Sequence, residues 1–182
     1  MLEGKVVGLR AIEPGDLDLL REWRNRPDFR RYFREYREIG ADMQKRWYEN
    51  VVLGDSVRMF AIQELATGRL LGACGLCYLD FVNRSADFSI YIGADGLYID
   101  DRYAVDAADV LLGYGFDELG LHRIWAEIYD FDDKKVELFD KLGFTLDGRH
   151  RDAHWGEGMW HDSLFYGLLA PDYFARRASQ DA

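Results

Sequence analysis

The sequence of 182 residues contains little cysteine and proline, and it has no long hydrophobic run. Its two cysteines are too few to stabilise a domain through disulfides, and its three prolines mark no linker. No apolar segment approaches the ~20 residues that cross a bilayer. The first residues also lack the basic, apolar and small-residue pattern of a signal peptide. We therefore expect one cytoplasmic domain over residues 1–182, with its core at 5–169 and a C-terminal tail at 170–182.

Basic residues are also fewer than acidic residues. Lys and Arg together number 23 against 33 for Asp and Glu, which gives a formal net charge of −10. Nucleic-acid binding requires a clustered basic face that neutralises phosphates, and an anionic membrane surface attracts cations. The charge balance therefore argues against nucleic acid and membrane as partners, and it favours a partner that carries an amine.

The two cysteines, Cys74 and Cys77, have the C-x-x-C spacing found in metal and redox sites. The segment GACGLCYLDF around them predicts a strand, on which residues three apart point to opposite faces. No second cysteine pair or nearby histidine completes a zinc site. His150 and His154 fall where a strand runs into a loop, so they share no helix face. We expect two small buried side chains at the cysteines and no metal site.

The hydrophobic pattern predicts an α+β domain with the element order β-α-α-β-β-β-α-β-α-β-β. A long helical pattern between strands favours a mixed sheet with helices on both of its sides. The predicted strands cover residues 5–12, 59–64, 70–79, 86–93, 123–129, 145–151 and 159–168. The predicted helices follow Pro14 and cover residues 42–52, 101–119 and 133–142.

Three segments carry a family resemblance: LLGYGFDELGLHRIWAEIY, VELFDKLGFTLDGRHRD and MWHDSLFYGLL. They resemble the second half of the GNAT superfamily of acyl-CoA N-acyltransferases, and LRAIEPGDLDLLREWRN resembles its RimJ/RimL-like branch. The similarity runs from about residue 7 to 169. It implies the GNAT fold and transfer of an acetyl group from acetyl-CoA to a primary amine of a small molecule or a peptide N-terminus. Dimers are common among such relatives, so the resemblance also allows a homodimer.

The resemblance assigns the cofactor site to four segments. The acyl-CoA is expected in a split between strand 88–93 and strand 124–129, with backbone N–H groups near Ile90, Tyr91 and Ile92 facing the thioester carbonyl. The loop 99–104 aligns with the pyrophosphate loop, so Arg102, Tyr103 and Ala104 are the cofactor-binding residues that the resemblance implies there. Asp132 aligns with an Asn that contacts pantetheine in relatives. Phe139 aligns with a Tyr that protonates the leaving thiolate.

Four of these positions depart from the family pattern. Arg102 stands where the first loop glycine is usual, and Ile99 stands where a basic or amide residue is usual. Asp132 replaces the Asn, and Phe139 has no proton to donate. Acidic residues surround the loop: Asp95, Asp100, Asp101 and Asp106. Helix capping explains one or two of these acids but not the missing glycine, and pairing of Arg102 with a phosphate is the way in which CoA binding would be kept. An alternative function therefore stays open, in which the chain has lost CoA binding and is a binding or sensing module, or uses a different acyl donor.

An amine acceptor also requires a base and a cleft. Asp87 on the strand before the long helix and Glu127 on the facing strand are the candidate bases. By resemblance, Trp23, Arg24 and Asn25 at the end of the first helix line the acceptor cleft. The loop that holds Trp155 and the acid Asp162 of the last hairpin are further candidates for acceptor binding. The tract that contains Arg30, Arg31, Arg34 and Arg37 is interleaved with aromatics, and it is suited either to an anionic part of the acceptor or to a solvated helix face.

Overall fold

The computed structural model describes residues 1–180 of the chain. Eight strands form one sheet: β1 (Leu2–Glu3), β2 (Val7–Ala11), β3 (Arg58–Glu64), β4 (Leu70–Asp80), β5 (Ser85–Ile92), β6 (Arg123–Tyr129), β7 (Thr145–Gly156) and β8 (Met159–Leu169). Six α-helices accompany it: α1 (Leu17–Asn25), α2 (Pro27–Arg30), α3 (Ala41–Trp47), α4 (Tyr103–Gly113), α5 (Asp133–Leu142) and α6 (Ala170–Gln180). No helix within residues 1–180 is long and apolar enough to cross a membrane.

The sheet has the strand order β1-β2-β3-β4-β5-β6-β8-β7. Its only parallel pair within residues 1–180 is β5 with β6; the other neighbouring strands are antiparallel. A parallel pair needs a long crossover connection, and α4 supplies it between these two strands. The mixed sheet and its α+β class confirm the prediction from the sequence.

Among the helices of residues 1–180, α4 contributes the largest number of buried apolar residues to the core. Its side chains at Ala104, Ala107, Ala108, Leu111 and Leu112 are fully buried, and the helix packs against β2, β4 and β5. Each leucine buried in this way contributes about 1.5–3 kcal/mol of hydrophobic stabilisation. The helix continues as a π-helical turn over Tyr114–Glu118. The predicted helix over 101–119 is thus confirmed in position, although it begins at Tyr103.

Two α-helices of the structure, α2 and α6, were not predicted from the sequence. We predicted a tail after residue 169, but Ala170–Gln180 forms a helix. This helix is held by packing, because its Tyr173 is buried and stacks on Phe116 with ring centroids 4.7 Å apart. The predicted helix over 42–52 is divided into α3 and a π-helical turn at Tyr48–Val52.

Helix α5 has the bounds that the sequence predicted. Asp132 caps its start by accepting the N–H of Lys135, and Gly143 ends it in the left-handed conformation at φ 84°. The cysteines lie on a strand as predicted, because Cys74 pairs with Ile90 and Cys77 with Asp87 on β5, three residues apart and on opposite faces. Both are free thiols; Cys74 is buried as expected, whereas Cys77 is only half-buried.

Candidate active site

Strands β5 and β6 diverge in the middle of the sheet. They are paired only where Ser85–Asp87 faces Arg123–Trp125. Beyond these residues β5 stays bonded to β4 and β6 to β8, so a wedge-shaped split opens after Asp87. The split lies between the two strands for which the GNAT resemblance implied it.

The open edge of β5 presents backbone donors to this split. The N–H of Ile92 donates to the carbonyl of Tyr98 at 2.8 Å, which shows that this N–H points away from β4. Because backbone groups alternate along a strand, the N–H of Ile90 lies on the same edge and faces the split. Ile90 therefore fits the predicted role toward a carbonyl oxygen. Ile92 does not, because its N–H is already bonded.

A cleft of about 520 Å³ lies beside the split. Asp87 and Tyr91, which alternate on one face of β5, line it together with Glu127 of β6. The opposite wall comes from α1, α3 and the loop between α2 and α3. Phe33 of this loop packs its ring edge against Tyr91, with centroids 5.4 Å apart. The loop therefore closes the cleft over the split strands.

The two predicted bases are brought together by an arginine from this loop. Arg34 Nη1 donates to Asp87 Oδ2 at 3.0 Å, and Arg34 Nη2 lies 3.4 Å from Glu127 Oε2. Asp87 is 5% exposed, whereas Glu127 is half-buried. A cation-binding position between two carboxylates therefore exists at the vertex of the split.

Burial sets the protonation of the groups in this cleft. It raises the pKa of the Asp87 carboxyl above its ordinary value, and the charge and hydrogen bond of Arg34 offset part of that rise. Burial lowers the pKa of the Lys135 ammonium, although the carboxylates of Asp132 and Asp87 act against it. Burial also raises the pKa of the Cys77 thiol to about 11, so Cys77 stays a thiol at neutral pH. The raised pKa makes Asp87 a stronger base than an ordinary aspartate for a proton from an ammonium.

Comparison with known proteins places this geometry in a family. A family model described as an acetyltransferase (GNAT) domain matches residues 7–145. The chain belongs to the GNAT acetyltransferase family.

Individual GNAT relatives are distant. The chain is similar to spermidine N(1)-acetyltransferase of Vibrio cholerae, with 26% identity over 168 residues that cover 92% of this chain and 95% of the relative. The Escherichia coli K12 protein of the same name is 25% identical over 170 residues, which cover 93% and 89%. A putative ribosomal N-acetyltransferase of Bacillus subtilis is 31% identical over 110 residues, which cover 60% and 58%.

Solved GNAT structures agree in fold. The V. cholerae spermidine N-acetyltransferase in complex with CoA and spermine matches with a TM-score of 0.84 at 25% identity, covering 92% of this chain and 98% of that one. A dodecameric structure of the V. cholerae enzyme in an intermediate state matches with a TM-score of 0.79 at 26% identity, covering 93% and 97%. The chain is thus an α+β GNAT protein distantly related to spermidine N-acetyltransferases.

The start of α4, where the GNAT resemblance predicts the pyrophosphate site, is capped from within the chain. The carboxylate of Asp100 accepts the N–H groups of Arg102, Tyr103 and Ala104 at 3.1, 3.0 and 2.8 Å. These are the free donors with which a helix start binds an anion. The thioester end of acetyl-CoA fits the open edge at Ile90. The diphosphate end fits the start of α4 only when Asp100 releases these donors.

The other acids near the loop are engaged elsewhere. Asp95 pairs with Arg69, and Asp101 pairs with Lys141. Asp106 turns toward β2, where it accepts the backbone N–H groups of Lys5, Val6 and Val7. The exposed Arg102 lies over the ring of Tyr103, whose hydroxyl donates to Glu64 at 2.6 Å. Asp100 is therefore the acid that directly occupies the donors of the helix start.

The two downstream cofactor candidates are structural in this chain. Asp132 is buried and accepts the hydroxyl of Tyr98 at 2.8 Å besides capping α5. Phe139 is 0% exposed and stacks on Phe144, with ring centroids 4.9 Å apart. Its aromatic contacts include Phe88 of β5. A side chain packed in this way fills the core under the split instead of reaching a leaving group.

Of the five predicted acceptor-binding residues, Arg24 lines the cleft and the other four do not: Trp23, Asn25, Trp155 and Asp162. Trp23 is buried against Gly93, where a Cβ atom would lie 2.0 Å from the indole. The amide of Asn25 bonds both backbone groups of Ile39, at 2.9 and 2.8 Å.

The two acceptor-binding candidates of the last hairpin, Trp155 and Asp162, contact other residues of the same hairpin. Trp155 is 59% exposed and packs against Trp160. Asp162 accepts the side chain of Arg149 and the N–H of Asp152, which holds an irregular part of β7. Among residues 1–180 no group of His, Cys, Asp and Glu side chains is placed to hold a metal ion.

Several residues of the cleft, including three with charged or aromatic side chains, were not assigned from the sequence. Lys135 projects into it from α5, and Phe33 and Glu35 reach it from the loop. Arg34 was recognised only as one member of an arginine-rich tract. The alternation of arginines with aromatics was the available signal, but it did not identify which arginine meets Asp87.

Proposed function

We propose that this chain is an N-acetyltransferase that moves an acetyl group from acetyl-CoA to a primary amine of a small molecule or a peptide N-terminus. The observation that carries the proposal is the pair of carboxylates, Asp87 and Glu127, at the point where two parallel strands split. Family membership supports acetyl-CoA as the donor class. Self-association and the RimJ/RimL-like branch also remain proposals.

In this proposal each group in the split has one task. Bound acetyl-CoA supplies a thioester carbon that an amine can attack. The N–H of Ile90 donates to the carbonyl oxygen and stabilises the charge that develops there. Asp87 accepts the proton of the incoming ammonium at a carboxylate oxygen, next to the position that the guanidinium of Arg34 holds. Since Phe139 has no proton to give, solvent protonates the leaving thiolate.

A second function is favoured by the cap at the start of α4. Because Asp100 holds three N–H groups that the resemblance assigns to pyrophosphate, the chain can instead be a GNAT-fold binding or sensing module, or use a donor without a diphosphate at this place. This alternative predicts that acetyl-CoA does not bind.

Thermal unfolding with acetyl-CoA and release of free CoA thiol together test the proposal. Acetyl-CoA at about a hundredfold its Kd should add about 2.7 kcal/mol to the free energy of unfolding. A panel of primary amines should then release thiol. The variant Asp87→Asn should keep the thermal shift and lose thiol release. If millimolar acetyl-CoA causes neither a shift nor thiol release with any amine, the proposal is wrong and the binding module is favoured.

A further inference from the structure

Acidic and basic side chains line the cleft in equal number, but they differ in whether they have a partner of opposite charge. The acids are Glu35, Asp87 and Glu127, and the bases are Arg24, Arg34 and Lys135. A polyamine carries several ammonium groups, so its site needs carboxylates that are free to meet them. The pairing of each charge therefore indicates which acceptor the cleft suits.

The three acids are already compensated. Arg34 contacts both Asp87 and Glu127. The carboxylate of Glu35 accepts Nε and Nη2 of Arg37 at 2.8 and 2.7 Å. One reacting ammonium can take the place of Arg34 at Asp87. A second ammonium would find the remaining acid engaged and would face the cations of the cleft.

Arg24 is the reverse case. Its Nε is buried and has no hydrogen-bond partner in the part of the chain that the structure describes. Its guanidinium lies over the ring of Phe33, 4.4 Å from the ring centroid. The neighbouring Asn25 is bonded on both sides to Ile39, so the end of α1 that carries Arg24 is held in place. A cation in a cleft whose buried Nε lacks a partner among residues 1–180 is suited to an anionic group of the ligand.

We propose that Arg24 binds a carboxylate of the acceptor, so that the acceptor class is an amino acid or a similar compound with one amine and one carboxylate. The inference rests on the proposed function for the amine at Asp87. The planar guanidinium matches a carboxylate with two parallel hydrogen bonds. This acceptor differs in charge from spermidine and spermine, which occur in the names of the relatives and neighbouring structures.

Matched ligands test the proposal. The probes are ω-amino acids from 4-aminobutanoate to 8-aminooctanoate, the corresponding ω-amino amides, and the diamines of equal length, including 1,4-diaminobutane. Binding to the full chain is measured by calorimetry without donor, and thiol release from acetyl-CoA is measured in parallel. At the best length the amino acid should bind about tenfold or more tighter than the amide and the diamine. Equal or tighter binding of the diamine would overturn the proposal.

Variants on one helix isolate the guanidinium. Arg24→Gln should abolish the preference for the carboxylate. Arg21→Gln, one turn earlier on α1 where Arg21 pairs with the exposed Asp18, should keep it. Arg24→Lys retains the charge without the planar fork, and it should bind the amino acid more weakly than wild type but more tightly than Arg24→Gln. If Arg24→Gln does not fold, Arg24→Lys decides, and an unchanged preference in it refutes the proposal.

The two readouts separate this inference from the proposed function. Carboxylate-selective binding that depends on Arg24, with no thiol release, would support the anion site and refute acetyl transfer. Thiol release with diamines as good as with amino acids would support acetyl transfer and refute the anion site.

Discussion

Replacing Asp100 by alanine is expected to lower the free energy of unfolding of the free protein and to increase its affinity for acetyl-CoA. In the free chain the Asp100 carboxylate accepts three N–H groups at the start of α4. A diphosphate bound at the same donors has to replace this carboxylate. The substitution removes the competitor, so the effects on the free and the bound protein have opposite signs.

The magnitude follows from the cap. Loss of a side-chain cap at a helix start costs typically about 1 kcal/mol, so the free energy of unfolding of Asp100→Ala should fall by about that amount. Since wild type gives up the same interaction when the diphosphate enters, the variant should bind acetyl-CoA roughly five- to tenfold more tightly. Relief of repulsion between the carboxylate and the phosphates acts in the same direction.

Denaturant unfolding of the free proteins and calorimetric titration with acetyl-CoA give the two quantities. Asp101→Ala is the matched control, because the Asp101 carboxylate is exposed and pairs with Lys141 instead of the helix donors. The control should change both quantities little. If Asp100→Ala binds acetyl-CoA no tighter than wild type, the carboxylate and the diphosphate do not compete for α4.

Three further expectations concern the base, the core and an ion pair. Burial raises the pKa of Asp87, so the rate of acetyl transfer should increase with pH through a pKa above the ordinary aspartate value. The variant Asp87→Asn should lose this rise in the pH–rate profile, and its kcat should be lower by about 10²-fold or more. Phe139→Tyr places a hydroxyl in a fully buried site, so denaturant titrations should show a free energy of unfolding lower by about 1–3 kcal/mol. Turnover should not rise. Faster turnover would show that this position reaches the leaving group. Hydrogen bonds from Arg10 lower the pKa of Asp16, so the pair stabilises the fold above the ordinary aspartate pKa and this stability is lost as pH falls through the depressed native pKa. Asp16→Asn should therefore lower the free energy of unfolding by about 1.5–3 kcal/mol at neutral pH and by much less in acid. An equal decrease at both pH values would contradict this explanation. The control Asp18→Asn, at an exposed position, should change the free energy of unfolding little.

Local sequence pattern was sufficient for most of the sheet. Runs of strand-forming residues bounded by turn signals predicted β3, β4, β5 and β6 to within a few residues. Helix α5 was predicted with its glycine stop at Gly143, which acts locally. Helix α6 was missed, because its stability depends on a stacking contact between Tyr173 and Phe116, which are far apart in sequence.

By itself, the sequence indicated the α+β class through its local pattern. Its resemblance to the GNAT superfamily implied the split between β5 and β6, the carboxylates Asp87 and Glu127 beside it, and the departures at Arg102 and Phe139. Only the tertiary structure decided that Arg34 bridges the carboxylates, that Asp100 turns onto the donors of α4, and that the buried Nε of Arg24 has no hydrogen-bond partner among residues 1–180. The physical reason is that charged side chains are long and their partners come from elements distant in sequence, so pairing depends on how those elements pack.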